Sequence, residues 1–307
     1  MNLGFLTGCL KSTLEEKVKW AKENGFDALE ISCWPRLNDR DYSGSDIDVE
    51  KLDDNEVEKI KSLFSGNEMK ISSLAYYDNM LHHNLDIRNK YISHLKSVID
   101  AAEKLGVELV GTFVGKDFTK TIEENFSEYE KVFRDLVDYC KSKKIKLMIE
   151  NCPMPSWHKE GWGATISYSP ELWYEMFKRI PDDNFGLNFD PSHLIWLQID
   201  YIKALREFKD RIFHVHAKDC RLLKERVGYY SIFGKQIGKT HGEDLGFIKP
   251  CMPGLGDVEW DSVFEVLWDI GYTGAISIEH EDKDYEGTDD KVKEGLLIAY
   301  KYLREWI

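Results

Sequence analysis

The sequence is short of positive charge, of paired cysteines and of long apolar runs, and each shortage excludes something. Lys and Arg number 41 against 55 Asp and Glu, giving a formal net charge of -14. A surface of that sign repels a nucleic-acid backbone and an anionic membrane, so neither is an expected partner. The six cysteines (Cys9, Cys33, Cys140, Cys152, Cys220 and Cys251) include no C-x-x-C pair. Their scatter reads as free thiols in a reducing cytoplasm, not as a disulfide framework. No apolar run approaches the roughly 20 residues that a membrane-spanning helix needs. The opening "MNLGFLTGCLKSTLEEK" lacks the basic n-region of a signal peptide. A G-x-G-x-x-G turn is also missing after the first apolar run, which counts against a doubly wound dinucleotide fold, the runner-up architecture.

What the sequence does contain is alternation. Eight short apolar runs precede segments of helical period: "LGFLTG" (3–8), "ALEISC" (28–33), "ISSLAYY" (71–77), "LVGTFVG" (109–115), "KLMIEN" (146–151), "FGLNFD" (185–190), "IFHVHAKD" (212–219) and "AISIEH" (275–280). The intervening segments carry helix signals. "STLEEKVKWAKENG" opens on a capping pattern and stops at Gly, and "SPELWYEMFKRI" opens on Ser-Pro. Eight strand–helix units in 307 residues predict a closed (β/α)8 TIM barrel, read as one domain over 1–307. The longest irregular stretch, about 220–256 after the seventh strand, reads as a lid or an interface loop.

Barrel active sites form where the strands end. The fifth strand ends in Glu150-Asn151, and the sixth in Asp190 with His193 just beyond. The seventh carries His214 and His216, then Lys218 and Asp219, and the eighth ends in Glu279-His280-Glu281. Any one of these alone is better explained as a cap, a solvated acid or a satisfied core histidine. Four successive strands delivering a carboxylate or an imidazole to one rim is a pattern those explanations do not produce. Mixed carboxylate and imidazole ligands suit a divalent ion such as Mn²⁺, Mg²⁺, Co²⁺ or Zn²⁺ with open positions for substrate oxygens. Such an ion polarises a carbonyl and acidifies the neighbouring C–H, and a flanking carboxylate or imidazole then moves the proton.

The ordered motifs "LEISCWP", "MIENCPM", "NFDPSHL", "FHVHAKD", "PGLGDVEW" and "ISIEHED" resemble the sugar phosphate isomerase/epimerase superfamily with its xylose-isomerase-like barrel. The resemblance runs the length of the chain. It implies one divalent metal, Mn²⁺ foremost, on Glu150, Asp190, His216 and Glu279. It also implies that Glu150 and Glu279 exchange protons with a sugar, while His193 hydrogen-bonds or deprotonates it. Trp34, Lys218 and His158 are the further candidates for substrate contact.

The same superfamily holds zinc-dependent endonucleases acting on abasic DNA, but the fourth strand here ends "FVGKD" without the histidine they need. It is also similar to the catalytic subunits of bacterial C-glycoside deglycosidases. These eliminate an aglycone from a 3-oxo-glycoside and pair with a small β-rich subunit. That lyase activity is the alternative expectation, and a sugar-binding barrel without catalysis is a third. The expected partner is a small sugar or glycoside, in a homo-oligomer or in a hetero-complex of the deglycosidase kind. Related sequences often carry an Arg before the "PGLG" segment. Here "KPCMPGLG" stands instead, which weakens a phosphate-binding reading and leaves Lys249, Lys239 and His241 as substitutes.

Overall fold

The computed structural model describes residues 1–35, 45–154, 165–239 and 244–307. Its strands are β1 (Asn2–Leu6), β2 (Ala28–Ser32), β3 (Lys70–Asn79), β4 (Leu109–Phe113), β5 (Lys146–Glu150), β6 (Phe185–Phe189), β7 (Ile212–Ala217), β8 (Asp219–Leu222), β9 (Ile248–Cys251) and β10 (Ala275–Ile278). β1 to β7 lie side by side in chain order, and β10 fits between β7 and β1 to close an eight-stranded parallel barrel. The closing seam sets Asn2 opposite Ala275 and Phe5 opposite Ile278. This is the expected (β/α)8 architecture.

The helices are α1 (Leu14–Glu23), α2 (Asp54–Gly66), α3 (Leu85–Leu105), α4 (Ile122–Ser142), α5 (Pro170–Arg179), α6 (Pro191–Trp196), α7 (Tyr201–Glu207), α8 (Lys224–Tyr230), α9 (Trp260–Asp269) and α10 (Asp289–Leu303). Local chemistry fixes their starts. Thr13 and Glu16 satisfy each other's backbone N–H groups at the head of α1, and Thr121 and Glu124 do the same for α4. α3 stops at Gly106, whose φ of 74° is left-handed. The strands are apolar on both faces because helices cover the outside and packed side chains fill the inside. One continuous core runs from Leu3 and Phe5 through Leu147 and Phe189 to Ile276 and Ile278.

Two elements depart from the sequence reading. The apolar run 212–219 breaks after Ala217, and β8 then pairs antiparallel with β9 outside the barrel. The stretch expected to be irregular therefore holds β8, α8 and β9, with Tyr229, Phe233 and Ile237 exposed along it. The short helix α6, directly after β6, is the second addition. It begins at Asp190-Pro191, where the Asp190 side chain accepts from Ser192 N at 2.8 Å.

Asp219 holds this excursion to the barrel. One carboxylate oxygen accepts from Cys220 N at 2.8 Å and Val258 N at 3.0 Å, the other from Gly254 N at 3.1 Å and Trp260 Nε1 at 3.2 Å. Gly256 leaves the room, since a Cβ there would lie 2.1 Å from Asp219 Oδ1. Burial pushes the carboxyl up from 3.8 to about 6, although the four donors pull the other way. Asp219→Asn turns an NH₂ group toward two of those buried donors and is expected to cost about 2–4 kcal/mol, at about 1–2 kcal/mol for each donor left unpaired, the lower part of the usual range. The pH dependence has a definite sign. The native state binds the Asp219 proton more tightly than the unfolded chain does. This contribution to stability therefore grows as pH falls from about 6 toward 3.8, and it is lost as pH rises back through that window. Urea unfolding of both proteins across this range checks it, because the variant should lack that component.

Candidate functional site

Glu150, Asp190, His216 and Glu279 meet at the C-terminal rim of the barrel, where one ligand atom from each lies within 4.8 Å of all the others. Each is placed by its strand end. Glu150 is the last residue of β5, and His216 is the fifth of the six in β7. Asp190 follows β6, and Glu279 follows β10. Asn151 clamps Asp190 from the next strand: its Oδ1 accepts from Asp190 N and its Nδ2 donates to Asp190 O, both at 2.8 Å. Because Asp190 Oδ1 is taken by the cap of α6, Oδ2 is left buried without a hydrogen-bond partner.

His216 joins two carboxylates. Its Nδ1 lies 2.8 Å from Glu150 Oε1 and 3.4 Å from Glu279 Oε2, and its Nε2 lies 2.9 Å from Glu30 Oε2. Lys218 Nζ donates to Glu279 Oε2 at 2.6 Å and stands 3.4 Å from both Asp190 Oδ2 and Glu281 Oε2. His193 Nε2 is 3.4 Å from Asp190 Oδ2 and 3.8 Å from Glu150 Oε1, with no hydrogen-bond partner.

Charge is finely opposed here. Burial alone would raise the Glu150 carboxyl, but His216, with His193 and Lys218, holds it well below the ordinary range. Burial likewise works against the Glu279 anion, and Lys218 reverses the effect. Burial disfavours the His216 cation, yet Glu30, Glu279 and Glu150 hold its pKa well above the usual value.

Glu30 went unread in the sequence, hidden inside the apolar run of β2. It is fully buried, and its Oε1 accepts from the Tyr77 hydroxyl at 2.7 Å. Asn188 Nδ2 donates to that same hydroxyl at 2.7 Å, and Asn188 Oδ1 meets His214 Nδ1 at 3.0 Å. Gly111 makes the crossing possible, because a Cβ there would sit 2.4 Å from the Tyr77 hydroxyl. His214 therefore supports from below, and burial lowers its pKa to about 4. The balance at Glu30 differs: burial opposes its charge, but His216 and His214 hold it at about 2. Glu30 is thus an anionic acceptor that fixes the His216 ring with Nδ1 toward the other carboxylates, as outer partners of metal-bound histidines do. Glu30→Gln should weaken metal binding about 10–100-fold without removing a ligand. Titration calorimetry of the metal-stripped variant reads this directly, and unchanged affinity would refute the role.

The remaining candidates divide. Lys218 and His193 are in the site. Trp34 is buried near it, with ring centroids 6.1 Å from Tyr76 and 6.0 Å from Tyr77, and its indole N–H has no acceptor among the described residues. His158 lies outside the described residues, as does His241. Lys249 is engaged with Asp284 at 2.5 Å.

The donors fit a divalent cation. At full ionisation, Glu30, Glu150, Asp190 and Glu279 outweigh His193, His216 and Lys218 by one charge. The buried Asp190 Oδ2 has an open valence pointing into the cluster. Carboxylate oxygens with one imidazole are the ligand mix such ions take on open protein sites.

A closed parallel barrel with an acid-and-histidine cluster at its C-terminal rim defines the architectural class. Within it, the sequence profile described as "Xylose isomerase-like TIM barrel" matches residues 18–305, and the chain belongs to that family. An inosose isomerase of Halalkalibacterium halodurans is 21% identical over 87% of this chain and 83% of its own length. An inosose dehydratase of Clostridium perfringens is 33% identical, over 47% of this chain and 45% of that protein. The chain thus spans under half the length of that curated relative. Among solved structures, the IOLI protein with a bound zinc atom superposes with a TM-score of 0.73 at 20% identity, covering 100% of this chain and 99% of that one.

Proposed function

We propose that this chain is a divalent-metal-dependent isomerase or epimerase that moves a proton at the carbon beside the carbonyl of a sugar or cyclic polyol ketone. The observation that carries the reading is the convergence of Glu150, Asp190, His216 and Glu279 within 4.8 Å. The inosose isomerase likeness supports the substrate class, and the zinc in the IOLI structure supports a divalent ion. A bound ion would supply the Lewis acidity that lowers the pKa of the C–H next to the carbonyl.

The chain's own residues do the rest. Glu279 is ionised beside Lys218 and takes a proton from one face, while Glu150, itself ionised, returns one to the opposite face after picking it up from solvent. His193 offers an uncommitted Nε2 to a substrate oxygen. Removal and return on opposite faces inverts a centre. The same first step followed by loss of a β-substituent is an elimination, and the inosose dehydratase likeness supports that outcome as the second reading. The six unpaired thiols support a reducing, cytoplasmic setting.

The test is elemental analysis followed by solvent-deuterium incorporation into ketoses, inososes and 3-oxo-glycosides. One bound divalent ion, with deuterium at a carbon adjacent to the carbonyl, is the expected result. Absence of metal after repletion would sink the reading.

A further inference from the structure

The rim carries more ligand atoms than one ion needs. Cys152, Glu150 and His193 also bring one ligand atom each within 4.8 Å of one another. A third such group, Glu30–His214–His216, is already spent. His214 binds Asn188 and Ser72 through its two nitrogens, and His216 binds Glu150 and Glu30. The Cys152 group differs on that point. His193 is 6% exposed, and its Nε2 has no hydrogen-bond partner although it faces Glu150 Oε1 at 3.8 Å. Cys152 is half-buried and in no disulfide, stands two residues beyond the end of β5, and has His193 as its side-chain partner, within the proposed ligand set itself. Among the described residues, it is the cysteine that stands in a cluster of this kind.

We propose that in the substrate-free chain Cys152, His193 and Glu150 form a second cation site, selective for thiophilic ions such as Zn²⁺ or Cd²⁺, beside the oxygen-rich first site and sharing Glu150 with it, so that its ion and the substrate compete for His193. One sulfur, one imidazole nitrogen and one carboxylate oxygen are a three-ligand set that tetrahedral zinc accepts, with its fourth position left to water. Softness separates the two sites: hard ions prefer the carboxylates, and thiolate selects zinc or cadmium. Binding releases the Cys152 thiol proton to solvent, because the thiolate is the ligand. A shared carboxylate is the ordinary way for two ions to stand about 4 Å apart.

The experiment titrates the metal-stripped full chain with Cd²⁺ and follows both bound cadmium and the ultraviolet cadmium–thiolate charge-transfer band. The wild type should take up two ions and show the band. Cys152→Ser should take up one ion and lose the band. His216→Ala, crippled in the first site, should keep the band. These readouts involve no substrate, so they stand or fall apart from the catalytic reading. A wild type without the band, or the same band in Cys152→Ser, would overturn the second site.

Discussion

Glu150→Gln should yield a folded barrel that purifies without its divalent ion and loses proton exchange by about 10³-fold or more, within the range expected when a general acid–base group is removed. Three features converge on this side chain: it is one of the four candidate metal ligands, the partner of His216 Nδ1 at 2.8 Å, and 3.8 Å from His193 Nε2. The amide keeps the size and removes the charge. It also turns an N–H₂ or a weaker acceptor toward an imidazole that the surrounding acids keep protonated. Elemental analysis, deuterium incorporation and a thermal melt separate the effects. Loss of metal and exchange with an unchanged melt is the expected result, and full activity would refute the site.

Lys17→Met carries the largest expected effect on stability. Lys17, on α1, is 2% exposed and donates to Asp46 Oδ1 at 2.7 Å, and Asp46 is 5% exposed. Besides Lys17, Asp46 has the Thr7 hydroxyl as a neutral partner, while its Oδ2 has no hydrogen-bond partner among the described residues. Burial already pushes the Asp46 carboxyl up, with Lys17 as the main counterweight. Removing the ammonium strands a buried charge, a change that costs about 3–5 kcal/mol. That is a large share of the roughly 5–15 kcal/mol by which domains are stable. Chemical denaturation should show the loss. The double variant Lys17→Met/Asp46→Leu should recover most of it, because an apolar pair of similar volume replaces the ions at little cost. A single variant within about 1 kcal/mol of the wild type would show that the pair is not needed.

The barrel was legible because parallel strands buried on both faces read as unbroken apolar runs. "KLMIEN" and "FGLNFD" each overran the strand by one residue, at the ligand-bearing ends where the chain leaves the sheet. The rim acids and histidines were legible for the same reason, since polar residues at the ends of such runs have few other uses. Glu30 was not, because an acid inside "ALEIS" looks like an outward-facing residue until the opposite wall is known. A usable signal was present all the same: a lone carboxylate in a strand covered on both sides must be paired. Tyr77 gave no local sign, since its partners Glu30 and Asn188 are 47 and 111 residues away. The helix α6 went unread, although Asp-Pro is a favoured cap and first-turn pair. Asp219 looked like a rim candidate and proves to be the anchor of the β8–β9 excursion.

The seam between β1 and β10 ties the two ends of the sequence together, and Glu279 stands immediately beyond it. Pairings across such a span are the slowest to form, because the chain gives up loop entropy before the contact rewards it. On a ribosome, the other three candidate ligands emerge well before the strand that brings the fourth. High-affinity cation capture should then be among the last events of folding. A metal-sensitive probe in a stopped-flow refolding trace would mark the moment at which the ring of strands locks.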